Sequence, residues 1–276
     1  MEDGGISFGK SLMDRKPRVA LLIDADNSPA SKIDLILNEL STFGETNIRR
    51  AYGNWKKSEL KGWEEMLHEH AIRPMQQFDY TKGKNASDMA MVIDALELLY
   101  TDQPDAFGIV SSDADFTPLV MHLRAKGAAV YGFGAQKTPE PFVNACSRFL
   151  YLDKLQPVAA SDALAGGRDD VDGSGGASPA PLRATPLRAT TLQLQQNAKL
   201  IMLLRNAVQA AADDEGWARV GPVGTQIANQ ASFDHRNYGY ATLTKLLVAT
   251  ALFDIVDEGK STVKVHDKRL SRSVRS

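Results

Sequence analysis

The stretch IVSSDADFTPLV, residues 109–120, decides how this chain is read. An apolar run passes through two serines and then delivers two aspartates, Asp113 and Asp115, one residue apart. AFGIVSS (106–112) has the length and composition of a short buried strand, and FTPLVMHLRAK (116–126) reads as a helix closed by Gly127. In an open parallel sheet, ligands bind outside the carboxyl ends of the strands. If the chain stays extended past Ser112, Asp113 and Asp115 point to the same side of that edge.

The neighbouring segments repeat the pattern. RVALLI (18–23) is another continuous apolar run, and it ends in Asp24. SPASKIDLILNELSTFG (28–44) predicts a helix with Ser28 as N-cap, Pro29 at its first position and Gly44 just past its end. Strands near 47–52 and 72–78 flank a helix near 58–70. ASDMAMVIDALELLY (86–100) predicts a helix with Met89, Val92, Ile93, Leu96 and Leu99 on one face and Asp94 on its solvated side. AVYGF (129–133) adds a strand. Alternation of this kind predicts an α/β domain with a mainly parallel, helix-covered sheet.

The sheet edge thus collects acid. Asp24 and Asp113 follow strands, and Asp88 lies in the first turn of a helix, capped by Asn85 in the ordinary reading. Asp115 could equally be a plain N-cap. Several carboxylates at one edge repel each other unless a cation lies between them. Hard oxygen donors without histidine or cysteine suit Mg²⁺ or Mn²⁺, and His68 and His70 lack metal-ligand spacing. Lys82, Lys84 and the Arg49–Arg50 pair are possible phosphate contacts. Trp55 and Trp63 are possible base-stacking groups, Trp63 reading better as core with Leu60 and Leu67.

The chain has 276 residues and a formal net charge of −2, so it does not as a whole advertise a polyanionic partner. Residues 16–156 carry 16 Lys and Arg against 19 Asp and Glu, whereas residues 192–276 carry 11 against 8. The second half is therefore the better candidate for touching nucleic acid. One cysteine, Cys146, excludes an intramolecular disulfide and a Cys-rich metal site. With no secretory signal and no apolar run of membrane-spanning length, the expectation is a soluble, cytoplasmic protein. Oligomeric state is left open.

Residues 156–191 contain 20 Ala, Gly, Pro and Ser among 36 and end in a doubled PLRAT. Such a segment reads as a tether spanning on the order of 30 Å as a coil. The expected organisation is a domain over 16–155, a linker over 156–191, a second domain over 192–268 and a basic tail over 269–276. In the second domain a helix over 193–212, GWARVGPVGTQIANQ (216–230), the helix YATLTKLLVATALF (240–253) and two short strands in FDIVDEGKSTVKV (253–265) outline a small winged helix-turn-helix. The last residues, KRLSRSVRS (268–276), read as a phosphate-touching arm without regular structure.

LIDADN (22–27), GKNASD (83–88) with VIDAL (92–96), and VSSDADF (110–116) resemble the signature segments of the NYN domain, the LabA-like branch of the PIN-like nucleases. The resemblance implies a Rossmann-like fold and a Mg²⁺- or Mn²⁺-dependent ribonuclease site. Its metal-binding carboxylates would be Asp24, Asp88, Asp113 and Asp115, with Asn27 a positioning group beside them. Ser112 stands where many relatives carry Gly, which bears on loop geometry. GWARVGPVGTQIANQ, FDHRNYGYATLTKLL and LFDIVD resemble an OST-HTH (LOTUS) domain, most tellingly around Asn237, Tyr238 and Gly239. This resemblance implies RNA binding, G-rich or structured, or docking of a protein partner. Candidate nucleic-acid contacts are Lys84, Arg219, Arg236, Tyr238, Tyr240 and Lys245, with Tyr238 and Tyr240 alternatively packing the domain's own core. The reading is a ribonuclease with an RNA-binding module. Its alternatives are a non-catalytic RNA- or protein-binding regulator and a phosphatase of the haloacid dehalogenase type using Asp24 and Asp26.

Overall fold

The computed structural model describes residues 15–78, 86–154 and 188–273, with side chains to residue 270. Six strands form the first sheet: β1 (Arg18–Asp24), β2 (Glu45–Gly53), β3 (Arg73–Gln76), β4 (Ala106–Val110), β5 (Ala129–Gly134) and β6 (Arg148–Tyr151). They run in the order β3-β2-β1-β4-β5-β6, and every pairing is parallel. β1 and β4 lie at the centre, which explains their unbroken apolar composition: both faces are covered. The order steps out one way from β1 and the other way from β4, so the gap between those two ends is the switch point where a ligand crevice opens.

The covering helices are α1 (Ile33–Ser41), α2 (Lys61–Glu69), α3 (Ala86–Thr101), α4 (Thr117–Ala125) and α5 (Glu140–Ala145). One apolar cluster packs α3, α4 and α5 on one face around Phe107, Phe116 and Phe149. The other packs α1 and α2 around Leu21, Ile36 and Trp63. Trp63 is core, its indole donating to the Ser28 carbonyl oxygen. Gly127, just past α4, takes φ +92°, a left-handed conformation that other residues pay strain to adopt.

Three expectations are corrected here. Ser28 does not cap a helix: its hydroxyl donates to the Val110 carbonyl, tying β1's exit to β4, and α1 starts only after a 3-10 turn over Ala30–Lys32. On α3 the buried face is Met91, Ala95, Leu98 and Leu99, while Met89 and Ile93 are about 60% exposed. That helix carries apolar residues nearly all round, so periodicity did not fix its inward face. Asp94 turns inward with that face and is only 8% exposed, because Arg50 and Tyr52 on β2 both bond its carboxylate. The strand β6 and the helix before it were not read from sequence at all.

The second domain holds α6 (Thr191–Gln196), α7 (Ala198–Ala211), β7 (Trp217–Arg219), α8 (Val220–Gln230), α9 (Leu243–Thr250), β8 (Phe253–Val256), β9 (Lys264–Asp267) and α10 (Lys268–Ser273). Its antiparallel sheet runs β7-β9-β8, the wing expected. Asn197 splits the first expected helix, its side chain capping α7. Residues 188–190, placed in the tether from sequence, join the domain: Thr190 forms a capping box with Gln193, and Ala189 N–H donates to the Tyr238 carbonyl. The basic tail begins as α10 rather than as an irregular arm. Among the described residues, no helix is long and apolar enough to cross a membrane.

Candidate active site

The carboxyl ends of β1 and β4 bring the acid together. Asp24 is the last residue of β1 and only 1% exposed. Its carboxylate accepts from the Ser111 hydroxyl at 2.9 Å and from the Asn27 amide at 3.1 and 3.2 Å. Ser111 Oγ in turn accepts from the Asp113 amide at 3.1 Å, so one hydroxyl links the two strand ends. Burial raises the Asp24 pKa, with the Asp26 charge adding to it, while the Asn27 and Ser111 bonds pull the other way.

Asp113 is extended, but past it the chain does not stay so as expected. Asp113 N-caps a 3-10 turn over Ala114–Phe116, its carboxylate accepting from the Asp115 amide at 2.8 Å. Asp113, not Asp115, is therefore the cap, and Asp115 stands exposed one residue into the turn. The turn forms because the Asp113 side chain satisfies an amide that an extended chain would have left unpaired. The Ser112 hydroxyl accepts from the Ala135 amide at 2.8 Å, so the residue standing in place of Gly pins this loop to the end of β5.

Asp88 completes the group from the first turn of α3. Burial and the charges of Asp24, Asp113, Asp26 and Asp115 push its pKa up to about 6. Asp26, weighed in the sequence only as a phosphatase residue, thus belongs to this edge, where Lys57 holds it at 3.2 Å. Ser111 was missed altogether; a small hydroxyl at the end of a buried apolar run was its only signal.

The donor set, carboxylate oxygens whose charges act on Asp88, has the chemistry of a hard divalent cation's ligands, and among the described residues no arginine is bonded to Asp24 or Asp88. Among the described residues, however, no three acidic, histidine or cysteine side chains already close into a coordination shell.

The other candidate contacts are dispersed. Lys82, Lys84 and Asn85 lie outside the described residues. Arg49 donates to the carbonyls of Thr46 and His70, and Arg50 pairs with Asp94, so neither faces a phosphate. Trp55 is half-buried, its main-chain amide bonded to Gln76. In the second domain Arg219 and Lys245 are exposed. Arg236 is bonded to Asp234 and Glu39. Tyr238 stacks on Phe233, and the Tyr240 hydroxyl donates to the Ala189 carbonyl at 2.6 Å.

The family model for the NYN domain matches residues 18–153, and that for the OST-HTH/LOTUS domain matches residues 194–265. The match displaces the phosphatase reading of LIDADN. An uncharacterized protein of Methanocaldococcus jannaschii is 32% identical over 123 residues, which are 43% of this chain and 48% of that protein. The chain thus spans about half the length of that curated relative. A solved structure of a Vibrio parahaemolyticus protein of unknown function is similar over 50% of this chain and 94% of its own, at 19% identity and a TM-score of 0.42. An uncharacterized Nitrosomonas europaea protein aligns over 35% of this chain and 92% of its own, at 27% identity and a TM-score of 0.25.

Proposed function

We propose that this chain, which joins an NYN domain of the PIN-like nuclease superfamily to an RNA-binding OST-HTH/LOTUS domain, is a divalent-metal-dependent ribonuclease that hydrolyses phosphodiester bonds of RNA. The observation that carries this reading is the set of carboxylates gathered around Asp88 at the sheet's switch point. Asp24, Asp88, Asp113 and Asp115 would hold Mg²⁺ or Mn²⁺. A divalent ion there supplies charge neutralisation for the phosphodiester and acidifies a water.

The chain's own groups do the positioning. Ser111 and Asn27 orient Asp24 by donating to its oxygens. Asp113 is fixed through its amide bond to Ser111 and its cap on the Asp115 amide. The charges of Asp24, Asp26, Asp113 and Asp115 all act on Asp88, so an RNA phosphate alone would be repelled there. That repulsion makes the cation obligatory in this reading.

The test is the purified full chain with labelled single-stranded RNA and matching DNA, with Mn²⁺, with Mg²⁺ and with excess chelator. Cleavage of RNA that needs the ion and falls at least about 100-fold in Asp113→Asn, with an unchanged circular dichroism spectrum, is the expected result. Cleavage that persists in chelator overturns it. A second reading, a non-catalytic RNA-binding regulator, is favoured by the lack of a closed shell among the described carboxylates. Calorimetry decides between them: no heat of Mn²⁺ binding to the full chain selects the regulator.

A further inference from the structure

At the tract around Asn237, Tyr238 and Gly239, most telling of the second domain in sequence, Asn237 and the adjacent Arg236 turn polar groups toward the first domain. The Arg236 guanidinium bonds Glu39 of α1, at 2.7 Å for its second contact, and Asp234 at 2.7 and 2.9 Å. Arg148 of β6 approaches Asp234 at 3.7 Å from the other side. The Asn237 carboxamide lies on the edge of β6: it donates to the Phe149 carbonyl at 2.9 Å and accepts from the Tyr151 amide at 3.1 Å. Its own carbonyl accepts from Lys154 Nζ at 2.6 Å. Gly239 closes the tract at φ +82°.

We propose that Arg236 and Asn237 form an intramolecular latch that docks the OST-HTH domain on the last strand of the NYN sheet, and that they are not part of its RNA-reading surface.

Two physical arguments carry this. An edge strand exposes main-chain groups that need a partner. An Asn side chain offers one acceptor and a donor in a peptide-like plane, so Asn237 stands in for one residue of the missing neighbour strand. The second argument is charge. Glu39 is 8% exposed and Asp234 3%, and buried carboxylates persist only when paired. Two arginines, one from each domain, answer two carboxylates, one from each domain. A surface built to read RNA would leave its guanidinium free for phosphate or base.

The latch also fixes a position. Leu150 pairs with Phe133, and Phe133 with Val110, so the Asn237 contact is level with the strand end that delivers Ser111 and Asp113. Two strand spacings of ~4.8 Å put β6 ~10 Å from β4 along the sheet. The docked domain therefore flanks the acidic edge and keeps Arg219 and Lys245 exposed for a ligand. Only this last use rests on the nuclease reading.

The full chain tests the latch without metal or cleavage. Glu39→Arg, on a helix surface where the side chain meets Arg236, sets two cations face to face. We expect a larger radius of gyration by small-angle scattering, and amide exchange at Tyr151 faster by about tenfold or more. Asn237→Ala should release the Tyr151 amide even where the overall dimensions hold. Arg236→Ala should enlarge the particle while leaving affinity for a fluorescent single-stranded RNA within about twofold, since no phosphate contact is removed. Wild-type scattering as extended as that of Glu39→Arg overturns the proposal. So does a tenfold loss of RNA affinity in Arg236→Ala at unchanged dimensions. An inactive nuclease assay would leave these readouts untouched, and a failed latch would leave the acidic edge as described.

Discussion

Carboxylates are buried in two kinds of place in this molecule, and their company differs. At the contact between domains Asp234 and Glu39 meet arginines, and inside the first domain Asp94 meets Arg50 and Tyr52. Burial would push Asp234 upward, yet the bonds and charge of Arg236 hold it below the usual carboxylate range. At the sheet edge burial raises Asp24 against the bonds of Ser111 and Asn27, and burial with the charges of the neighbouring carboxylates raises Asp88. Identical side chains thus serve opposite ends. An aspartate answered by arginine is architecture; those without one are the carboxylates on which the nuclease proposal rests.

The comparison can be broken at its architectural side first, where the effect is largest. Arg50→Ala leaves the Asp94 carboxylate buried with Tyr52 alone, and should cost roughly 3 kcal/mol in urea denaturation of the full chain. A loss below about 1 kcal/mol would mean that Asp94 reaches water and that the pairing is incidental.

On the other side the sign reverses. Asp88→Asn removes a charge from among like charges, so the metal-free protein should gain about 1 kcal/mol, a figure discounted for the partial exposure of Asp88. Mn²⁺ should then raise the melting temperature of the wild type more than that of the variant. Equal gains would detach Asp88 from the cation.

pH sharpens the contrast with smaller shifts. Asp88 is raised from 3.8 to about 6, so its protonated form is favoured by folding. Its contribution is full below the unfolded value and is lost as pH rises through about 6. Metal-free wild type should therefore gain stability between pH 7 and pH 5, and Asp88→Asn should gain less. Asp234 is lowered, so its contribution is present above its unfolded value and is lost as pH falls through the folded one. The domain contact should hold at pH 5, where the acidic edge is already relaxing, and give way only at more acid pH, below the ordinary aspartate range. Thermal melts across that range, followed alongside scattering, separate the two.

Much of this was legible in the residues. β1 and β4 announce themselves because a strand covered on both faces must be apolar throughout, and Asp24 and Asp113 stand out for the same reason. The inward face of α3 was not legible, since apolar residues surround that helix and the partner of Asp94 lies on β2, far away in sequence. The 3-10 turn after Ser112 was missed because it depends on a side chain bonding a main-chain amide two residues on. Arg236 illustrates the hardest case. Its setting in the sequence suits RNA, and its bond to Glu39, 197 residues away in the other domain, has no local signal. β6 is four residues long and gives no periodic signal, yet it is where the two domains meet.

The sheet's two margins are finished differently. β3 is short and carries Pro74, which has no N–H to offer a stranger. β6 has no such device and relies on Asn237, supplied by the neighbouring domain. If the latch holds as proposed, the first domain's edge is covered by the second. A chain shortened after residue 155 would present the Phe149 and Tyr151 main-chain groups to another copy, and self-association would be the first symptom of truncation.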